Sequence, residues 1–342
     1  MKKLFFIVLF FAFFSAKIFA EDLTGAGATF PYPVYSKMFK EYYKISGVKV
    51  NYQAIGSGGG IRQLLSKTVD FGASDAYVDD EDLKKFDSEI IHIPIVSGAV
   101  VLAYNIPGSP KLKLTPEIIA GIFLGKIKKW NNPALKKENP KANLPSMKIV
   151  VVHRSDGSGT TFIFTDYLCK VSKEWKNKVG RGKAVNWPVG MGAKGNPGVA
   201  GMIKQIPGTI GYIELNYAVE NDINFAEVKN KSGNFVKPSV KSVELASDCD
   251  LPDDMRINLT NTSSKYGYPI SGFTWILVYK DLYNGKLNRS KADALANLLW
   301  WMTHEGQKFA LELNYAPLSE NALKKTEKLL KAVNFNGESL LK

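Results

Sequence analysis

Residues 91–104 read IHIPIVSGAVVLAY, a long apolar stretch rich in Ile and Val that runs into Asn105-Ile106-Pro107-Gly108. β-branched side chains favour extended backbone, and a run that is apolar on both faces is a strand covered on both sides. The length of this one suits a strand that crosses between two domains. Working outward, short apolar strands alternate with amphipathic helices, which is an α/β pattern. Toward the N-terminus the spacing predicts a helix over Val34 to Tyr43, a strand over Val48 to Ala54, a helix over Ile61 to Thr68 and a strand over Val69 to Ala73. Toward the C-terminus it predicts a helix over Pro116 to Leu124 with Thr115 as its N-cap, a strand over Lys148 to His153, a helix over Thr160 to Val171 and a strand over Ile210 to Glu214. Phe273 to Tyr279 is then a strand suited to bring the chain back, and helices over Lys291 to His304 and Leu318 to Val333 close it. Two α/β lobes crossed twice by the chain make a hinged clam-shell. The expected division is lobe I at 21–103 and 271–342, with lobe II at 104–270. A chain of 342 residues fits two such domains.

The first twenty residues stand apart. Lys2 and Lys3 precede an unbroken apolar run from Leu4 to Phe14, and the small Ala20 precedes the acidic Glu21. This is the pattern of a secretory signal peptide cleaved after Ala20, and the apolar run is short for a membrane span. No Cys lies near that point to carry a lipid. The expected location is therefore the periplasm, or outside the cell.

Formal charge is +13, and removing the three lysines of the leader, Lys2, Lys3 and Lys17, leaves +10. Such a balance attracts anions. The lysines are dispersed and form no run of five, so they read as solvated surface rather than a nucleic-acid site. Cys169 and Cys249 are the only cysteines; in an exported chain they can form one disulfide or stay as two thiols, and spacing leaves that open. His92, His153 and His304 lie far apart, and no group has the spacing of a metal site.

Three strand-ending segments share one chemistry. They are Thr24-Gly25-Ala26-Gly27-Ala28-Thr29-Phe30-Pro31, Ile55-Gly56-Ser57-Gly58-Gly59-Gly60 and His153-Arg154-Ser155-Asp156-Gly157-Ser158-Gly159-Thr160-Thr161. Each has glycines that let backbone N–H groups approach a ligand, and each has a hydroxyl. The second and third open into predicted helices, whose free N–H groups and positive dipole ends suit an anion. Arg154 offers a planar fork for two oxygens of a tetrahedral oxyanion, and Asp156 can hold that fork in place. The alternative for this segment is a glycine-rich turn with Ser158 capping a helix.

Asp75, just past a short strand in Asp70-Phe71-Gly72-Ala73-Ser74-Asp75-Ala76, is a carboxylate where an anion site would not want one. It repels a fully ionised oxyanion, yet it accepts a hydrogen bond from a protonated one. Phosphate keeps a proton near neutral pH and sulfate does not. A buried acceptor left without its donor is costly, so such a site can discriminate by roughly 10⁴-fold. The alternative for Asp75 is a turn or cap residue.

Enzyme signatures are sparse. There is no Walker A pattern and no G-x-S-x-G elbow. Neither Ser57 nor Ser158 has a sequence-evident base, so no catalytic residue is assigned, and no cofactor or metal is expected. Gly190-Met191-Gly192-Ala193-Lys194-Gly195 matches G-x-G-x-x-G, but Trp187-Pro188 before it argues against a strand and Asn196-Pro197-Gly198 after it delays any helix. The segment reads as a loop. Trp300-Trp301 on a terminal helix reads as core packing plus one edge residue.

Taken together, LTGAGATFPYPVY, VNYQAIGSGGG, VDFGASDA, LGKIKKW, RSDGSGTT, EWKNKVG and PGTIGY, in this order, resemble the periplasmic phosphate-binding proteins of high-affinity phosphate ABC transporters. The likeness runs over nearly the whole chain after the leader. It implies a type II periplasmic binding protein, two α/β lobes joined by a two-strand hinge. It also implies capture of inorganic phosphate by a monomer, and delivery to a permease and ATPase complex in the inner membrane. Carried over by motif, Thr29 and Phe30 supply backbone N–H groups, Thr29 adds its hydroxyl, Ser57 donates, and Asp75 accepts the phosphate proton. Arg154, Ser158, Gly159 and Thr160 come from the other lobe, with Asp156 orienting Arg154. Gly58 departs from the pattern, since many relatives carry a second Ser there. The paired possibility for Cys169 and Cys249 is not a family feature. Binding of another tetrahedral oxyanion, such as sulfate or molybdate, and a secreted phosphatase are the alternatives to phosphate capture.

Overall fold

In the computed structural model, which describes residues 21–341, the fold is organised around one strand. The leader and its cleavage point lie outside the described residues. Strand β4 (Ile90–Tyr104) is buried at every one of its 15 positions. It comes after β1 (Leu23–Gly27), α1 (Tyr32–Ser46), β2 (Val50–Ala54), α2 (Ser57–Leu65) and β3 (Phe71–Ser74). Beyond it lie β5 (Val150–Arg154), α3 (Gly159–Val171), β6 (Met191–Ala193), α4 (Gly195–Gln205), β7 (Thr209–Glu214), β8 (Ser271–Tyr279), α5 (Arg289–Thr303) and α6 (Glu320–Ala332), with shorter elements between.

The strand order is β2-β1-β3-β8-β4-β7-β5-β6. Strands β1, β2 and β3 are mutually parallel, and so are β5, β6 and β7. The antiparallel strands β8 and β4 sit between these two sets. Strand β4 pairs with β8 from Ile90 to Ala99 and with β7 from Val100 to Tyr104. One continuous strand thus serves two α/β lobes, which explains why its sequence is apolar for so long. β8 begins at Ser271, opposite Ala99, so the chain returns to the first lobe beside the place where it left.

Pro94 sits inside this strand despite lacking an N–H. The ladder accommodates it by a register shift, in which Thr274 pairs with Val96 and Trp275 with Pro94. The extra residue is Ile95 of β4; opposite it on β8, Thr274 reaches the buried Asp75 carboxylate.

Two sequence expectations need correction. The segment Gly190 to Gly195 is not a loop: Met191–Ala193 is a strand parallel to β5, and helix α4 starts at Gly195. Pro197 does not delay the helix because it lies in the first turn, where backbone N–H groups have no intrahelical acceptor to lose. Helix α2 starts at Ser57, within the glycine run, rather than at Ile61. Thr115 does cap the helix Pro116–Phe123, accepting from the Ile118 N–H. Trp300 and Trp301 are both half-buried; Trp300 stacks on His304, and Trp301 packs against Tyr42 and Phe309. Cys169 and Cys249 are both free thiols. Among the described residues, no helix is long and apolar enough to cross a membrane, and no cluster of three or more ligating side chains occurs.

Candidate functional site

Parallel strands end on the same edge of their sheet, so the turns at their carboxyl ends gather along that edge. In the first lobe, β1 ends in Ala28-Thr29-Phe30, β2 leads to Ser57 at the start of α2, and β3 ends beside Asp75. In the second, β5 ends at Arg154, α3 begins at Gly159, β6 leads to Gly195-Asn196 at the start of α4, and β7 ends at Glu214. The two edges face each other. Clefts at the carboxyl ends of α/β strands are where such folds bind ligands, and helix N-termini there present unpaired N–H donors.

The opposed edges touch directly. Ser57 Oγ, fully buried, accepts from the Gly159 N–H at 3.0 Å across the cleft and from the Asp75 N–H at 3.2 Å. The Gly58 N–H donates to the Gly157 carbonyl at 2.9 Å. Thr29 Oγ1 accepts from the Asn196 backbone N–H at 3.1 Å and from Asn196 Nδ2 at 3.0 Å. The hydroxyls of Tyr217 and Tyr315 donate to the carbonyls of Thr29 and Phe30, each at 2.6 Å. With those carbonyls engaged, the N–H groups of Thr29 and Phe30 remain. Among the described residues neither finds an acceptor, although both residues are buried. Buried N–H groups rarely go unpaired, so these two are set to donate to something held in the cleft.

Arg154 is buried and held as a fork. Its Nε donates to Asp156 Oδ1 at 2.8 Å, its Nη2 donates to Asp156 Oδ2, and its Nη1 donates to Thr160 Oγ1 at 3.2 Å. The Gly195 N–H completes the support by donating to Asp156 Oδ1 at 3.0 Å. Burial by itself would raise the Asp156 carboxyl, but the hydrogen bonds and charge of Arg154 outweigh it and hold the group below its usual range. Asp156 is therefore ionised, and Arg154 meets the cleft as an oriented cation. Ser158 caps α3, its Oγ accepting from the Thr161 N–H at 3.0 Å. The capped turn that stands as the alternative for this segment is thus present as well; the cap and the cluster coexist.

Asp75 is 2% exposed and accepts from Thr274 Oγ1 at 2.9 Å. Burial pushes its carboxyl up to about 7, against the Thr274 hydrogen bond, the Arg154 charge and the Ser57 hydroxyl, which pull it down. It is the acidic group of an otherwise donor-rich cleft. Behind it, the buried Tyr35 hydroxyl is pushed above the usual phenol range by burial and stays neutral. On the far side, burial drives Glu214 well above the usual carboxylate range, against the Asn216 N–H and the Tyr315 hydroxyl. The single Tyr315 hydroxyl hydrogen is shared between two acceptors, Glu214 Oε2 at 2.9 Å and the Phe30 carbonyl at 2.6 Å.

All nine residues named from the sequence, Thr29, Phe30, Ser57, Asp75, Arg154, Asp156, Ser158, Gly159 and Thr160, fall in this one cleft. Sequence reasoning missed Asn196, Thr274, Tyr212, Tyr217, Glu214 and Tyr315. Tyr212 lies inside the PGTIGY motif, and its hydroxyl accepts from the Arg154 backbone N–H at 3.1 Å. Asn196 reads in the sequence as part of a helix-delaying turn. A surface cavity of about 650 Å³ between α1 and β2, lined by Tyr32, Lys40 and Tyr43 among others, lies apart from this chemistry. The interlobe cleft is lined by fixed donors and a charge pair, whereas that cavity is open surface.

Comparison with known proteins gives a consistent result. The model of the PBP superfamily domain matches residues 19–305. The chain is 43% identical over 331 residues to a phosphate-binding protein PstS of Pasteurella multocida (strain Pm70), covering 95% of this chain and 94% of that one. It is 41% identical over 305 residues to a phosphate-binding protein PstS of Methanocaldococcus jannaschii, covering 82% of this chain and 78% of that one. Among solved structures, a putative phosphate ABC transporter substrate-binding protein from Clostridium perfringens with bound phosphate has a TM-score of 0.65 at 19% identity. That match covers 87% of this chain and 100% of the other. A phosphate-binding protein from Stenotrophomonas maltophilia has a TM-score of 0.66 at 19% identity, covering 90% of this chain and 93% of that one. At that identity the two structures speak to the fold.

Proposed function

This chain belongs to the PBP superfamily and, within it, to the family of PstS phosphate-binding proteins, and from that premise we propose that it captures inorganic phosphate outside the cytoplasmic membrane for an ABC importer. The observation that carries this reading is the buried Asp75 in a cleft otherwise furnished with donors. A cleft of donors and one guanidinium attracts any small anion. A carboxylate beside them selects one that brings its own proton, and phosphate does so near neutral pH. The N–H groups of Thr29 and Phe30, the hydroxyls of Thr29, Ser57, Ser158 and Thr160, and the Arg154 fork then act as donors, while the Gly159 N–H holds Ser57 Oγ across the cleft. Asp75 acts as the acceptor. Asp156 acts through Arg154 and keeps the fork aimed.

Binding works by closure. The ligand touches both lobes, so it favours the closed arrangement by its differential contacts there. The cross-lobe bonds from Gly58 to Gly157 and from Asn196 to Thr29 lower the energy of that arrangement further. We propose lobe I as 21–103 with 271–342 and lobe II as 104–270, supported by the change of β4's partner and the return of the chain at β8. We propose that residues 1–20 direct export and are removed after Ala20, that the mature protein is a periplasmic monomer, and that a membrane permease and its ATPase receive the ion. The Oγ atoms of Ser57 and Ser158 accept from backbone N–H groups, which supports their part in holding the cleft together.

Calorimetric titration of the mature chain with phosphate, sulfate and molybdate tests the reading, alongside turnover of a chromogenic phosphate ester. Saturable binding of phosphate alone, without turnover, is the expected result. Equal binding of sulfate, or hydrolysis of the ester, would overturn it.

A further inference from the structure

Asn196 occupies the middle of the cleft and is neither a donor nor an acceptor in the phosphate site proposed from the nine residues. It is fully buried, and each of its polar groups has a partner. Its Oδ1 accepts from the Glu214 backbone N–H at 3.0 Å. A backbone N–H can only donate, so this bond fixes which way the amide faces. Its Nδ2 must then face the cleft, where it lies 3.0 Å from Thr29 Oγ1 on one lobe and 3.1 Å from Thr160 Oγ1 on the other. An amide nitrogen carries two hydrogens, one for each hydroxyl.

Each hydroxyl oxygen also receives a second obligate donor. Thr29 Oγ1 accepts from the Asn196 backbone N–H, and Thr160 Oγ1 accepts from Arg154 Nη1. A threonine oxygen has two lone pairs and one hydrogen. With both lone pairs engaged, each hydroxyl retains only its hydrogen. Ser57 Oγ is in the same condition, accepting from the N–H groups of Asp75 and Gly159.

Building on the phosphate-binding reading, we infer that Asn196 is a positioning residue for specificity: it commits the Thr29 and Thr160 hydroxyls, one from each lobe, to donating. The Thr29 and Thr160 hydroxyls then present only hydrogens to the cleft, and Asp75 is left as its acceptor. Hydroxyls ordinarily adapt to any partner, but these cannot rotate to accept from a ligand that brings extra protons. The ligand class is accordingly an oxyanion with one or two protons and otherwise bare oxygens. A neutral or amine-bearing molecule of the same size has no acceptor for its further hydrogens.

The test compares phosphate affinity by calorimetry for the wild type, Asn196→Ala, Thr29→Val, Thr160→Val, the double valine variant, and Asn196→Ala combined with each of these. Losing a donor to a charged ligand weakens binding by about tenfold to a hundredfold, and each valine variant should show that loss. Asn196→Ala should weaken binding by a similar factor in the wild-type background. It should have much less effect once both threonines are valine, because there is then no hydroxyl left to orient. Thermal melts run in parallel separate this pattern from loss of fold. An equal, additive loss in every background would overturn the inference, and so would valine variants that bind phosphate as tightly as the wild type. The valine arms decide even where Asn196→Ala does not fold. If the wild type itself fails to bind phosphate, the parent reading fails instead, so the two outcomes are distinguishable.

Discussion

The two walls of the cleft are built alike and do opposite things. Each is a set of parallel strand ends running into glycine-rich turns and helix N-termini. The wall from β5, α3 and α4 carries the cation, Arg154, locked by Asp156 and Thr160. The wall from β1, α2 and β3 carries Asp75, which Thr274 holds from strand β8. One wall supplies attraction that any oxyanion would feel. The other supplies a penalty that only a protonated oxyanion escapes. On the proposed reading, affinity and selectivity fall on different lobes, and both act only when the lobes meet.

If that division holds, damage to the cationic wall should cost the most affinity. Arg154→Met leaves Asp156 half-buried without its partner and removes the fork from the cleft. The fork's hydrogen bonds to a charged ligand are worth about 1.5–3 kcal/mol each, so phosphate affinity measured by calorimetry should fall by about a hundredfold or more, with no change in which oxyanion is preferred. A shift of preference toward sulfate in this variant would break the comparison.

A smaller loss is expected from a change that removes neither charge. A Cβ on Gly159 would lie 2.5 Å from Ser57 Oγ and 2.6 Å from the Asp75 Cβ, so alanine there holds the walls apart. At Gly58 the Cβ would meet the Gly157 Cα at 3.2 Å, a contact that a slight shift relieves. Gly159→Ala should therefore weaken phosphate binding by about tenfold or more, an overpacking cost of about 1–3 kcal/mol, while Gly58→Ala stays within a few-fold. Equal effects from the two would mean that closure is not limited by this contact.

Much of the fold and of the cleft is legible in the chain. The crossing strand shows itself by being apolar for too long, and the three glycine segments mark both walls. The hidden features depend on neighbours far away in sequence. Helix α2 begins among glycines, poor helix formers, because a Cβ at Gly60 would strike the Ala26 carbonyl oxygen at 2.5 Å and the Gly27 Cα at 2.6 Å. Close packing on β1 outweighs local propensity there. Asn196 looks like part of a chain-breaking turn, because Asn-Pro-Gly commonly is one. Its role comes from the Glu214 N–H that fixes its amide, and from hydroxyls 167 and 36 residues away. Thr274 reaches Asp75 from a strand 199 residues further along the chain. No local pattern records either arrangement.

The central claim is that a buried carboxylate, not the positive charge, chooses the ligand. Its most direct test is calorimetric titration with phosphate and with sulfate, on the wild type and on Asp75→Asn, at pH 8 and pH 6. With its carboxyl near 7, Asp75 is mainly ionised at pH 8 and mainly protonated at pH 6, where it can donate to an oxygen that brings no hydrogen. The account predicts that the wild type rejects sulfate strongly at pH 8 and less so at pH 6. In Asp75→Asn the rejection should be weak at both values, with phosphate held about tenfold or more loosely. An Asp75→Asn protein that still rejects sulfate at pH 8 as firmly as the wild type would contradict it.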